Sequence, residues 1–178
     1  MIRWISLAIL LTLAACGSAP SHDRVGGYVG GHVPLECAPF ARTLSGVQLY
    51  GPAADWWSKA RGRYDRGRTP EVGSVMIFAR TQRLPDGHAA VVTKVLSNNR
   101  ILVTQANWVR GRVTQDQPVI DISPRGDWSL VQVWWPPTGQ MGVTEYPAYG
   151  FIRAHKPTST EFLAARTPTA IELALNGY

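Results

Sequence analysis

Apolar residues recur at every second position through the second half of the chain, from Gly73 onward. A period of two is that of β-strands with one buried face, and Pro, Gly, Asp and Asn residues separate the alternating runs as turns do. The pattern therefore predicts an antiparallel meander as the main element of the fold. The candidate strands are residues 74–79, 88–96, 100–108, 119–122 and 130–135.

Two helices are predicted ahead of these strands. Residues 36–45 have apolar side chains at helical spacing, and residues 52–61 have an apolar stripe that includes Trp56 and Trp57. Helices that precede antiparallel strands indicate an α+β domain. We therefore expect N-terminal helices packed on an antiparallel β-sheet or half-barrel.

The first 15 residues predict an export signal. Arg3 supplies a positive start, and the apolar run over residues 4–13 is well short of the roughly 20 residues that span a bilayer. Residues 13–16 (LAAC) resemble the lipobox of bacterial lipoproteins, in which cleavage leaves the cysteine first and its sulfur carries a lipid. The alternative is an ordinary cleavage site with an incidental cysteine. We expect Cys16 to be lipidated and to tether the domain to a membrane of the cell envelope. In a cell with an outer membrane, Gly17 at the second mature position resembles proteins sorted outward, to face the periplasm.

Length and composition predict one domain behind that anchor. The chain has 178 residues, of which 45% are hydrophobic, enough to bury a core. We assign residues 1–15 to the signal peptide, 16–32 to a flexible tether, 33–153 to the domain and 154–178 to a C-terminal tail. The net charge is +6, or +5 once Arg3 is removed, but the basic residues are scattered and no nucleic-acid motif accompanies them. We therefore expect no nucleic-acid partner.

Cys37 is the one thiol left in the mature chain if Cys16 is lipidated. In an oxidising compartment such a thiol is either buried in the core or used chemically. Pro39 is tolerated only in the first turn of a helix, so Cys37 lies in that turn. The free backbone amides there favour a thiolate and can stabilise an oxyanion. Glu36 opposes the first effect.

A thiol nucleophile needs a base, and His88 is the best placed of the four histidines. It stands at the start of an apolar strand, which would hold the imidazole rigidly, and histidine titrates near neutral pH. His22 and His32 fall in the predicted tether and His155 in the tail. The alternative for His88 is an exposed side chain with no function.

Two amides on the following strand are candidates to orient His88. A two-residue turn at residues 98–99 places Gln105 and Asn107 on the same face as His88. The simple register brings Asn107 nearer to His88, although a β-bulge would reverse that order. We expect one of the two amides to accept the imidazole proton and so fix its tautomer, the alternative being that both merely end a strand.

Together these features resemble the CHAP domain, the cysteine, histidine-dependent amidohydrolase/peptidase family, over about residues 33–152. The likeness rests on Cys37 at the start of a helix, the Trp56–Trp57 pair, and residues 73–78 (GSVMIF), 87–92 (GHAAVV) and 103–108 (VTQANW).

The resemblance implies a papain-like α+β fold and hydrolysis of peptidoglycan amide bonds. The activity would be that of an N-acetylmuramoyl-L-alanine amidase or a peptide endopeptidase. Cys37 would be the nucleophile and His88 the base. Trp57 and Trp108 are candidates to line the substrate cleft, with core packing as the alternative.

Two departures from the family qualify this hypothesis. Members often have Glu where this chain has Gln105, so the imidazolium would lack a stabilising charge. Members that bind calcium use acidic residues ahead of the cysteine, but residues 31–36 contain only Glu36. Cys37 with His32 is too small a ligand set for zinc, so we expect no metal and no cofactor.

The expected partners are peptidoglycan and, through the lipid on Cys16, a membrane. Whether a protein activator is needed stays open. Two other functions remain possible at this point: a non-catalytic wall-binding lipoprotein on a degenerate CHAP domain, supported by Gln105, and an amidase for a small peptide conjugate.

Overall fold

The computed structural model describes residues 27–29 and 35–154. Cys16, the predicted signal peptide, His22, His32 and residues 155–178 lie outside the described part. A 3-10 helix, Ala53–Asp55, leads directly into the second α-helix. The other elements within the described ranges are β1 (Gly27–Val29), α1 (Cys37–Ser45), α2 (Trp56–Lys59), β2 (Asp65–Gly67), β3 (Val75–Phe78), β4 (His88–Ser97), β5 (Arg100–Ala106), β6 (Val113–Asp121), β7 (Leu130–Trp135), β8 (Gln140–Met141) and β9 (Tyr146–Arg153).

Six strands close into a barrel. They run in the order β6, β5, β4, β3, β9 and β7, and β7 pairs again with β6. Every neighbouring pair is antiparallel. The short strands β1, β2 and β8 add to β6, β9 and β7 outside this ring. Closure leaves the six strands without an unpaired edge.

Two apolar layers lie on either side of the strands, because successive side chains of a strand point to opposite faces. Met76 and Phe78 face the barrel interior, where they pack with residues from every barrel strand. Val75 and Ile77 face outward and pack beneath the helices, together with Ala89 and Trp56. All four residues of β3 are therefore buried.

The helices cover only one end of β4. Its first six residues are buried and its last four are exposed. Helix α1 places Phe40 and Ala41 in the core and ends at Ser45. The left-handed φ of 75° at the following Gly46 lets its N–H donate to the carbonyl of Arg42 at 2.9 Å. The covered end of β4 begins at His88, so the helices and the start of this strand form one packed corner.

The predicted α+β architecture is met only in part. The fold is mostly β, its two helices are short, and the sheet closes into a barrel instead of remaining open or half-closed. The predicted second helix, residues 52–61, is reduced to the 3-10 turn and α2. Closure depends on β9, which pairs with both β3 and β7 and was not predicted.

Residues 27–29 differ from their predicted role as flexible tether. They form β1, which pairs with β6 through Tyr28 and Thr114. The hydrophobic pattern did not predict this strand, because three residues in a glycine-rich segment are too few to show alternation. In the described ranges, neither helix has the length and apolar character required to cross a bilayer.

Candidate active site

The start of β4 is held in place by the glycine before it. Gly87 has a left-handed φ of 71°, and a Cβ there would lie 2.6 Å from the carbonyl oxygen of Phe78 and 2.7 Å from Cβ of Ala54. The N–H of Ala54 donates to the carbonyl of Asp86 at 2.9 Å. Only glycine fits in so small a space. Gly87 therefore allows the 3-10 helix to pack directly against the turn that precedes His88.

His88 is buried inside the end of the barrel, with 3% of its surface exposed. Its Nε2 lies 2.9 Å from Oε1 of Gln105, which is fully buried. The imidazole also meets the rings of Phe78 and Trp108 edge-on, at centroid distances of 5.6 and 5.1 Å. Three sides of the ring are thus held by β3, β5 and the segment that follows β5.

Burial decides the protonation of His88. Loss of hydration lowers the pKa of the imidazole from 6.5 to about 4, against a smaller opposing effect of the hydrogen bond to Gln105. The ring is therefore neutral at pH 7. A neutral imidazole can accept a proton, which is the role a general base requires.

Cys37 opens α1 as predicted, at a partly buried position. It packs against the outer apolar layer that contains Ala89, the residue after His88. Burial raises the pKa of the Cys37 thiol, and the charge of Glu36 raises it further. Backbone N–H groups of Ala89, Ala38 and Cys37 itself lower the pKa, but by less than burial raises it.

The pKa of the thiol is raised, so the expectation that the start of the helix favours a thiolate at Cys37 is wrong. The free amides of the first turn act in the expected direction, but the thiol is too poorly hydrated for them to prevail. At rest the site holds a thiol and a neutral imidazole.

The side chains of Cys37 and His88 lie on different sides of β4 at its start. The imidazole faces the barrel interior, whereas the thiol lies toward Ala89 on the side covered by the helices. Within residues 35–154 no hydrogen bond joins the sulfur to the imidazole. Nδ1 of His88, the ring nitrogen that Gln105 does not use, likewise has no hydrogen-bond partner in that range.

The side-chain amide of Asn107 makes its hydrogen bonds away from His88. Its Nδ2 donates to Oε2 of Glu36 at 3.1 Å, and its Oδ1 accepts the N–H of Gly111 at 2.9 Å. The observed register, in which Val91 pairs with Thr104, moves both amides toward His88, but β5 ends at Ala106 and Asn107 has a left-handed φ of 61°. The expectation that Asn107 lies nearer to His88 is wrong, because the left-handed backbone at Asn107 turns its side chain to Glu36 and Gly111, and Gln105, still in the strand, meets the imidazole.

The two candidate cleft tryptophans lie in different surroundings. Trp108 packs between His88 and Tyr146, with ring centroids 5.1 and 5.0 Å away, and its buried indole N–H has no partner in the described part of the chain. Trp57 instead stacks on Tyr149 at 6.2 Å and carries the guanidinium of Arg66 over its ring at 4.8 Å. Trp108 is therefore the tryptophan beside the imidazole.

No cluster of metal-ligating side chains coincides with this site in the described residues, and a large cavity lies elsewhere. Over residues 27–29 and 35–154, no group of three or more His, Cys, Asp and Glu side chains could hold a metal ion. A cavity of about 750 Å³ is lined by residues near the opposite end of β3, among them Arg63, Glu71 and Arg153. It contains none of the site residues.

The family of this domain follows from a comparison of its sequence with family models. The model of the CHAP domain matches residues 27–107. Over these residues, 81 of 178, the chain is similar to the CHAP domain. The match begins at β1 and covers Cys37, His88 and Gln105, whereas strands β6 to β9 lie beyond it. The CHAP domain is typical of peptidoglycan hydrolases. No curated protein matches the chain.

Two polar residues near this CHAP site were not identified from the sequence. Thr114 and Gln117 are fully buried and extend the hydrogen bonds of Gln105 into the barrel. Both lie in the part of β6 that periodicity missed. Asp116, with a φ of 50°, breaks the alternation there and turns both side chains inward. The available signal was composition alone: two hydrogen-bonding residues just ahead of an apolar strand.

Proposed function

We propose that this chain hydrolyses amide bonds of peptidoglycan peptide, with Cys37 as nucleophile, His88 as general base and Gln105 as the residue that orients His88. The observation that carries the proposal is the buried hydrogen bond between His88 and Gln105 in a CHAP domain. The helix that packs against the same strand begins with the only cysteine among the described residues.

The protonation states at rest determine the first step. Because the thiol pKa is raised and the imidazole pKa is lowered, the pair starts neutral. Nδ1 of His88 takes the thiol proton as the sulfur of Cys37 attacks the amide carbonyl carbon. Catalytic contacts are often long in a free enzyme and shorten when substrate binds, so the proposal requires the two side chains to meet in the substrate complex.

Backbone amides at the start of α1 then stabilise the oxyanion. The N–H groups of Cys37 and Ala38 already lower the thiol pKa, which means that they favour negative charge at this point. The imidazolium of His88 protonates the leaving amine, and the C–N bond breaks to leave a thioester. Water, deprotonated by His88, attacks the thioester and releases a carboxylic acid and the free thiol.

The substrate proposal covers two kinds of bond. Cleavage between N-acetylmuramic acid and L-alanine would make the protein an amidase, and cleavage within the stem or bridge peptide would make it an endopeptidase. Trp108 is the proposed wall of the cleft, since it borders His88 and has an unpaired indole N–H. Trp57 would contact more distant parts of the substrate.

We also propose that lipidation of Cys16 anchors the domain in the cell envelope, where peptidoglycan is within reach. Labelling with a radioactive fatty acid tests this for the full chain. A Cys16→Ala variant should lose the label and leave the membrane fraction, while Cys37→Ala keeps both. Label that persists without Cys16 would contradict the anchor.

The hydrolase proposal is tested with protein lacking the first 16 residues. Purified sacculi are incubated with this protein, and released soluble fragments are quantified and identified by mass spectrometry. Cys37→Ala and His88→Ala should abolish release, while Thr43→Ala, at an exposed position of the same helix, should retain it. Undiminished release by the Cys37→Ala variant would contradict the proposed nucleophile.

A non-catalytic wall-binding domain is the second candidate function. The raised pKa of Cys37 and the lowered pKa of His88 favour it, because both shifts reduce reactivity at rest. In the same experiment this function predicts that wild-type protein sediments with sacculi but releases no fragments. Release from a small peptide conjugate but not from sacculi would indicate a smaller substrate.

A further inference from the structure

A chain of buried polar side chains continues from His88 into the barrel. Gln105 on β5 and Gln117 on β6 are both fully buried. Nε2 of Gln105 donates to Oε1 of Gln117 at 2.5 Å, and the hydroxyl of Thr114 donates to the same oxygen at 2.6 Å. Such a network lies where an apolar core would ordinarily be expected.

The direction of each hydrogen bond follows from these contacts. Oε1 of Gln117 can only accept, so the end of the Gln105 amide that faces it must be the NH2 group. The carbonyl oxygen of Gln105 is then turned toward His88, 2.9 Å from Nε2. Because that oxygen also can only accept, the neutral imidazole must carry its proton on Nε2. Nδ1 is left with the lone pair.

We propose that Gln117 is a positioning residue that sets the tautomer of His88 through Gln105. The importance of this tautomer for catalysis rests on the proposed hydrolase function, since Nδ1 is the nitrogen that would accept the thiol proton. The tautomer itself does not depend on that function and is measured separately.

Stability alone does not account for Gln117. Its Nε2 is buried without a hydrogen-bond partner in the described part of the chain, and an unpaired buried donor is destabilising. Rotating the Gln117 amide by half a turn would place its NH2 against the NH2 of Gln105. That clash is relieved only if Gln105 rotates too and the proton of His88 moves to Nδ1. The two amides and the imidazole therefore change state together.

The decisive measurement is the ¹⁵N NMR spectrum of His88 at pH 7, where the ring is neutral because its pKa is about 4. The nitrogen shifts and couplings distinguish the Nε2–H from the Nδ1–H tautomer. Wild-type protein should show Nε2–H. In Gln117→Met, which keeps the side-chain length but removes the acceptor, the tautomer ratio should shift toward Nδ1–H by about fivefold, the effect of one net hydrogen bond.

Gln115→Met is the matched control, because Gln115 lies two residues away on the same strand and is only partly buried. It should keep the wild-type tautomer. Gln117→Glu retains an acceptor oxygen at the same position and should also keep Nε2–H at pH 8. An unchanged tautomer in Gln117→Met would overturn the proposal, as would Nδ1–H in Gln117→Glu.

The wild-type spectrum is decisive even if Gln117→Met fails to fold, since Nδ1–H in the native protein contradicts the proposed direction of the network. The same variants tested on sacculi separate the two proposals. No release by wild type, together with the expected tautomers, would remove the hydrolase function and leave the positioning role intact. Release by wild type, together with an unchanged tautomer in Gln117→Met, would support the hydrolase function and remove the positioning role of Gln117.

Discussion

Nε2 of His88 and Oε1 of Gln105 meet at 2.9 Å inside the barrel, and neither side chain is more than 3% exposed. The partner of the imidazole is thus a neutral amide in a place with little water. An amide can fix the orientation of the ring but supplies no charge to stabilise the imidazolium. The properties of His88 are consequently set by burial more than by its partner.

The stability of the domain should fall in mild acid because of His88. Its folded pKa of about 4 lies below the ordinary value of 6.5, so the unfolded chain binds the proton more readily. The stabilisation is fully present above pH 6.5 and is lost as the pH falls through 4. The shift corresponds to about 3 kcal/mol of unfolding free energy. Urea unfolding at pH 7 and pH 4 measures it.

His88→Gln is the control for this prediction. The variant lacks the imidazole, so between pH 7 and pH 4 its unfolding free energy should change by about 3 kcal/mol less than that of wild type. Parallel pH dependences for the two proteins would show that the folded pKa of His88 is not lowered.

Alkylation of Cys37 by iodoacetamide should be slow at neutral pH. Because burial raises the thiol pKa above 9.0, the rate should rise with an inflection at higher pH than that of an exposed cysteine. No inflection is expected near pH 4, since a neutral imidazole forms no ion pair with the thiol. The measurement uses protein that begins after Cys16, followed by mass spectrometry. An acid inflection would reveal a thiolate–imidazolium pair.

Glu36→Gln should make Cys37 more reactive. The carboxylate of Glu36 raises the thiol pKa, and the amide removes that charge while it can still accept from Asn107. We expect the alkylation inflection to move to lower pH and the rate at pH 8 to increase. Glu145→Gln, at an exposed position, should leave both unchanged. A slower rate in Glu36→Gln would contradict the electrostatic effect.

Gln105→Glu should raise the pKa of His88. A carboxylate at the position of the amide oxygen favours the imidazolium, which the neutral amide does not. An NMR titration of His88 should therefore show a higher midpoint than the wild-type value of about 4. The acidic midpoint in the pH dependence of any peptidoglycan hydrolysis should also move to higher pH. Gln115→Glu, on the partly buried face of β6, should leave the midpoint near that of wild type.

Gly87→Ala should destabilise the domain and disturb His88. The new Cβ would lie 2.6 Å from the carbonyl oxygen of Phe78, and the left-handed φ of 71° is itself unfavourable for alanine. We expect a total loss of at least about 3 kcal/mol in unfolding free energy, which is more than the roughly 1–2 kcal/mol that the unfavourable φ alone would cost.

Gly126→Ala isolates that backbone term. Gly126 has a φ of 63°, but nothing lies within 4 Å of a Cβ built there. The variant should lose only about 1–2 kcal/mol, and its His88 NMR signals should match wild type. Similar losses for the two variants would show that the contact between the 3-10 helix and the turn before β4 is not tight.

Several parts of the fold and site follow from residues close together in sequence. Pro39 places Cys37 in the first turn of a helix, and the observed helix begins at Cys37 and ends at Ser45. Alternation located β3, β4, β5 and β7 to within two residues. The turn at residues 98–99 pairs Ser97 with Arg100 as expected. These features depend on local sterics and periodicity, which a single sequence displays.

Other features escaped because they depend on partners far along the chain. Strand β9 closes the barrel only because β3 and β7 are both within reach. The left-handed backbone at Asn107 turns that side chain to Glu36 and leaves Gln105 as the partner of His88, and a single residue with positive φ does not change the hydrophobic pattern. Likewise the positive φ at Asp116 turns Thr114 and Gln117 toward the barrel interior, and the alternation of apolar residues in the sequence does not show this change.

The sequence by itself determined on which elements Cys37, His88 and Gln105 stand, because a proline, a glycine and a period of two act over a few positions. Only the tertiary structure decided how those groups behave. The pKa values of Cys37 and His88 are shifted mainly by the loss of hydration when α1 and the barrel pack around them. For Cys37 this effect is larger than that of the helix amides, which the sequence did predict. Hydration is a property of the assembled fold, so no local pattern could reveal it.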